Sequence, residues 1–119
     1  MSAGIAKGSF TVKLEPAGAE EGRVAVPRML LDKVFDGDLK GTGQGQMLSA
    51  GNPAAGSAAY VAIEQVTGEL NGKRGSFWLY HTGVMDAGAQ SLVIKVVPGS
   101  GTDELSGLSG QMGLDLSGG

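Results

Sequence analysis

The chain of 119 residues has no cysteine, one histidine and one tryptophan, and only 5% of it is aromatic. Without cysteine there is no disulfide framework and no thiolate nucleophile, which is the pattern of a cytoplasmic protein. A single histidine, with no H-x-H or E-x-x-H spacing, leaves too few ligands for a zinc site. No metal and no cofactor is expected. The nine Lys and Arg are scattered and the formal net charge is −3, so the polycationic footprint of a nucleic-acid binder is missing. No apolar stretch approaches the roughly 20 residues that would span a bilayer, and Met1–Lys7 lacks the apolar core of a signal peptide. The expectation is one cytoplasmic domain over residues 1–119, with no nucleic-acid or membrane partner. A chain of this length can build a core without staples.

Glycine is what the chain has in excess, at 22 residues. The glycines interrupt Val, Ile, Leu and Phe runs instead of repeating by themselves, so the pattern is neither collagen nor low complexity. In such a setting glycine marks turns, bulges and close backbone approach, the composition of a strongly curved β-sheet. Residues 9–15 alternate apolar and polar until Pro16 stops them, predicting a half-buried strand with Phe10, Val12 and Leu14 inward. Further strands are predicted over 28–35, 38–50, 57–70, 75–83, 91–97 and 104–116, with loops at 16–23, 51–57 and 85–90. Asp36-Gly37 signals a two-residue turn that would set Asp32 opposite Gly41. Residues 67–75 and 102–110 share the pattern T-x-E-L-x-G-x-x-G, which suggests two equivalent turns. No stretch has helical periodicity. The third strand carries Leu39, Gly41, Gly43, Gly45 and Met47 on one face. That glycine stripe allows a sharp bend, or lets large side chains lie against the backbone.

Asn71-Gly72 is the strongest turn signal present, and it makes residues 57–83 one hairpin. If those two residues alone form the turn, Glu64 opposes Leu79 and Ala62 opposes His81. If the loop runs from Asn71 to Arg74, Glu64 opposes His81 directly. In both registers Glu64 and His81, the two plausible acid–base groups, share a face. Ser76 and Ser91 lack the G-x-S-x-G elbow of a nucleophile. The Pro98–Thr102 loop precedes no helix and reads as a tight turn, not a phosphate cradle.

Six segments carry a resemblance: residues 35–41, 45–49, 59–68, 75–83, 96–102 and 104–110. With Phe35-Asp36-Gly37-Asp38, Gly75-Ser76-Phe77-Trp78-Leu79-Tyr80-His81 and Glu104-Leu105-Ser106-Gly107 in this order, residues 8–117 resemble the bacterial domain-of-unknown-function family 3224. The resemblance implies an all-β, antiparallel up-and-down barrel of about seven to eight strands, similar to allene oxide cyclase, and implies no reaction. Members of that family usually continue beyond the position of Gly119 with a G-x-H-x-Y-type strand, so a chain ending there is expected to lack the last strand.

The family motif implies that Phe77, Leu79 and His81 face the lumen. Glu64 then shares it with Tyr60 and Val66, and His81 is the cation that would offset the desolvation of the carboxylate. Asp32 either faces the lumen with the glycine stripe or flanks a bulge. The leading expectation is a small apolar ligand held in the barrel by Tyr60, Glu64, Phe77, Leu79, His81 and Asp32. The alternatives are a cofactor-free cyclase or isomerase with Glu64 and His81 as catalytic base and acid, and an assembly protein with a filled barrel. Trp78 and Tyr80 fall on the opposite face. With Val61 and Ile63 they would form an apolar patch suited to a homo-oligomer, unless the sheet is inverted and they are the core.

Overall fold

The computed structural model describes residues 6–16 and 26–112. Seven strands run in simple meander order, each antiparallel to its chain neighbour: β1 (Gly8–Pro16), β2 (Arg28–Gly37), β3 (Leu39–Asn52), β4 (Ser57–Leu70), β5 (Lys73–Asp86), β6 (Ala89–Val96) and β7 (Gln111–Met112). Two short 3-10 turns, Pro53–Ala55 and Asp103–Leu105, are the helical elements among the described residues. Among the described residues no helix is long and apolar enough to cross a membrane.

The β4–β5 register is that of the two-residue turn. Leu70 pairs with Lys73, and both Asn71 (φ 50°) and Gly72 (φ 84°) lie in the left-handed region that a type I′ turn demands. The segment expected as a loop over 85–90 is a second turn of this kind. β5 runs on to Asp86, Ala87 (φ 49°) and Gly88 (φ 87°) make the corner, and Ala89 returns opposite Asp86.

Two expectations are corrected at the ends of the chain. Residues 104–110 are not strand. They enter the 3-10 turn that buries Leu105, and β7 starts only at Gln111. The two copies of the T-x-E-L-x-G-x-x-G pattern are therefore not equivalent turns: one is a hairpin and the other a plug. Pro16, expected to open a loop, is instead the last residue of β1, opposite Met29, while the rest of the expected 16–23 loop, Leu114 and Leu116 lie outside the described residues.

A third correction concerns β2. The Asp36-Gly37 turn does not form. Asp38 is the corner, tied to Lys7 twice: its N–H donates to the Lys7 carbonyl (2.8 Å) and its carboxylate accepts the Lys7 N–H (2.7 Å). β2 and β3 then pair with Asp32 opposite Gln44 and Lys33 opposite Gly43. The register moves by three residues, an odd number, and an odd slip turns every side chain of a strand to the other face.

One face of the sheet holds the core. Phe35, Val66, Phe77, Leu79, Ile94 and Leu105 form the buried cluster, with Phe10, Leu39, Leu70, Val96, Leu108 and Met112 packed against it. With no second layer of strands or long helices among the described residues, side chains such as Val66 are fully buried because the sheet curls over itself. The glycine stripe of β3 permits that curl. A Cβ at Gly41 or Gly45 would collide with the carbonyl oxygen of Thr67 or Ile63 on β4, so both glycines serve close strand approach. The expected antiparallel up-and-down order is present, and among the described residues no ladder joins β1 to β7.

Candidate functional site: a buried lysine, glutamate and histidine

The inner face reads in cross-strand rows. Leu31, Gly45, Glu64, Leu79 and Val96 form one row, and Met29, Met47, Ala62, His81, Ile94 and Met112 form the next. Glu64 and His81 are thus diagonal neighbours on β4 and β5. Lys33 reaches them from β2 over the bare Cα of Gly43.

Glu64 is 0% exposed, and Lys33 and His81 are also buried. Glu64 Oε1 takes both partners, Lys33 Nζ at 2.8 Å and His81 Nε2 at 2.7 Å. Burial by itself would push the Glu64 carboxyl up. The hydrogen bonds from His81 and Lys33, together with their charges, outweigh burial and hold it below the ordinary carboxylate range. A carboxylate has no proton to give, so Nε2 of His81 is the donor and the tautomer follows from the network. The Lys33 ammonium also lies 4.8 Å from the centre of the Phe10 ring and 5.9 Å from that of Phe35. Two aromatic rings and one carboxylate oxygen flank it, an arrangement that stabilises a desolvated cation.

The second carboxylate oxygen differs. Glu64 Oε2 is buried and has no hydrogen-bond partner. It lies over Gly43, where a Cβ would come within 2.6 Å of it and within 3.2 Å of Phe35 Cε2. The middle glycine of the stripe makes room for this carboxylate, whereas its two neighbours make room for backbone.

Tyr60, Phe77, Leu79, Glu64 and His81 all lie on the inner face, as the family resemblance implies. Phe77 and Leu79 are buried in the packed cluster, and Tyr60 is half-buried with its ring stacked over Gly83. Burial pushes the Tyr60 phenol up. Asp32 is the correction: it is exposed on the outer face, beside Gln44, Gln65 and Trp78 around a shallow depression. Lys33 takes the place expected of it and is the residue the sequence reading missed. A usable signal was present, because an inward carboxylate needs a cation and Lys33 alternates with the inward Leu31 and Phe35. Trp78 is 39% exposed on the outer face, with Val61 and Ile63 also exposed, so the inverted sheet does not occur.

The inner face is not fully covered, either at its open end or along its β1 edge. Met29, Met47, Met85 and Tyr60 are half-buried, and Val12 (48%), Leu14 (41%) and Leu92 (41%) are exposed although their partners place them inward. Among the described residues no group of three or more His, Asp or Glu side chains could hold a metal ion.

A curled antiparallel meander with one dry end, one open end and an ionic triad between them defines a class of small β-fold protein. The chain belongs to the DUF3224 family, described as proteins of unknown function, whose model matches residues 6–119. It is similar to the crystal structure of a protein of unknown function from that family in Shewanella oneidensis MR-1, at 49% identity and a TM-score of 0.84. The match covers 92% of this chain and 84% of that one. No protein of curated function matches.

Proposed function

We propose that the open half of the inner face binds a small, largely apolar molecule, with Glu64 and His81 as the polar floor of the site. The observation that carries this reading is the exposure of Leu92, in the row of the half-buried Tyr60, on the face that a curled sheet should keep driest. Three half-buried methionines, Met29, Met47 and Met85, border the same region. Methionine adapts its shape and makes favourable contacts with aromatic rings, which suits a binding surface more than a specified core. Phe77 and Leu79, buried in the packed cluster, would support the site from behind.

The acid–base reading of Glu64 and His81 has less behind it. A general base works best when its pKa lies near the working pH. A carboxylate held low by a lysine and a histidine is a weak base and a fixed acceptor, which favours a binding role.

Methionine-methyl NMR with fluorobenzene as the probe tests the proposal. The Met29, Met47 and Met85 methyls are expected to shift on titration, while Met112, packed against the buried cluster, serves as the internal control. Equal shifts at all methionines, or none, would remove the proposal.

A further inference from the structure

We propose that the outer face carries a second site, in which the shallow depression beside Trp78 binds a non-acidic saccharide. One sugar ring lies against the indole, and its hydroxyls meet Asp32 and the carboxamides of Gln44, Gln46 and Gln65. This site is separate from the inner face and does not depend on it.

The strand registers assemble it. One outer row runs Asp32, Gln44, Gln65 and Trp78 across β2 to β5, and the next sets Gln46 between Leu30 and Ile63. Both rows border one depression of about 540 Å3, within the size range of small-molecule sites. Three of the chain's five glutamines and its one tryptophan converge there. All four side chains are exposed. Gln46 Oε1 accepts a hydrogen bond from Arg28 Nη1 (3.4 Å). The side chains of Asp32, Gln44 and Gln65 make no hydrogen bond to another described residue.

This set of groups matches a sugar. A carboxamide both donates and accepts, as a hydroxyl does, and a carboxylate accepts from two hydroxyls at once. Hydrogen bonds to the carboxylate are of the stronger, charge-assisted kind. The indole has an electron-rich face, which suits the C–H bonds on the flat side of a pyranose ring. Leu30 and Ile63 extend that apolar contact.

Other ligand classes fit less well. Asp32 is the one formally charged side chain lining the depression, and Lys13, opposite it on β1, pairs with Glu15 at 2.9 Å. An anion would therefore meet like charge. A wholly apolar molecule would cover four polar side chains without giving them partners. An extended peptide needs a sheet edge for main-chain pairing, and β3 and β4 are laddered on both sides.

Trp78 is the chain's one tryptophan, so its fluorescence reports on this face. Six neutral probes are titrated into the full chain: the methyl glycosides of glucose, galactose and mannose, and cellobiose, maltose and lactose. At least one is expected to change the Trp78 emission saturably and to shift the side-chain NH2 signals of Gln44, Gln46 and Gln65 in 1H–15N spectra. The signals of Gln90 and Gln111, which do not line the depression, should stay in place. Glucuronate is expected to bind more weakly than whichever neutral probe binds best. Trp78→Ala and Gln65→Leu should each weaken that binding roughly two- to ten-fold, the worth of one aromatic contact or one hydrogen bond. If either variant fails to fold, the wild-type titration still decides. Silence from all six probes would overturn the proposal, as would tightest binding by glucuronate or equal shifts at all five glutamines. Emission that changes with protein concentration and not with sugar would also overturn it, and would mark this face as a contact between copies of the chain.

Discussion

The two halves of the inner face are built from the same strands and differ in what closes them. At one end the 3-10 turn Asp103–Leu105 folds across the sheet and buries Leu105 against Phe35, Val66, Phe77 and Ile94. The loop before it is stitched to β5 by Thr102 N–H to the Ser76 carbonyl, Trp78 N–H to Ser100 Oγ and Arg74 N–H to Glu104 Oε1. At the other end nothing equivalent is present among the described residues, and the face is lined by flexible methionines and a tyrosine. The lesson is that a single curled sheet can separate stability from binding along its strands. The plugged half supplies the core, the triad marks the boundary, and the open half can be varied at small cost.

The sharpest way to break this comparison is to truncate one large side chain in each half. Phe77→Ala, in the plugged half, should cost about 3–5 kcal/mol in urea unfolding. Met85→Ala, half-buried at the open end, should cost less than about 2 kcal/mol, because less packing is lost. Equal costs would dissolve the distinction between the halves.

The boundary itself comes next. Lys33→Met leaves the Glu64 carboxylate buried without its main counter-ion and should destabilise by about 3–5 kcal/mol. Adding Glu64→Leu should recover most of that loss, since an apolar pair of similar volume replaces an ion pair at little net cost. If the double variant is as unstable as the single, the ionic pair is not what sets the cost.

Acid should act on the same boundary. The Glu64 pKa is lowered by folding, so its contribution is fully present above the ordinary carboxylate value of 4.5 and is lost as pH falls through the lower native value. The stability of the wild type over that of Glu64→Gln should be constant above about pH 5 and should narrow below it. A gap that widens on acidification would contradict the assigned direction.

Two smaller effects complete the series. Gly43→Ala should cost about 1–3 kcal/mol, because the new methyl must displace Glu64 Oε2 or the Phe35 ring. Val34→Thr, on the outer face, should change stability by no more than about 0.5 kcal/mol.

How much of this was legible depended on turn chemistry. Asn71-Gly72 is a strong, local signal with one favoured geometry, and from it follow the β4–β5 register, the inward Glu64 and His81 and the outward Trp78. Asp36-Gly37 looks similar on paper but is overridden by a tertiary contact, the double tie between Asp38 and Lys7. No local pattern contains that contact. Both parities of β2 are apolar, Leu31 and Phe35 on one and Leu30 and Val34 on the other, so periodicity could not correct the register. Asp32 and Lys33 exchanged faces as a result. The plug at Leu105 was hidden for a related reason: its sequence copies that of the β4–β5 turn, and only its place at the end of the sheet makes it a lid on the core.

The meander order carries one more consequence. Every ladder among the described residues joins strands adjacent along the chain, and β4, β5 and β6 are linked by turns of two residues each. Little loop-closure entropy has to be spent before pairing begins there. We expect this three-stranded unit to nucleate folding, with β1 and the Leu105 plug docking later, so that Glu64 and His81 meet before Lys33 arrives to neutralise the carboxylate.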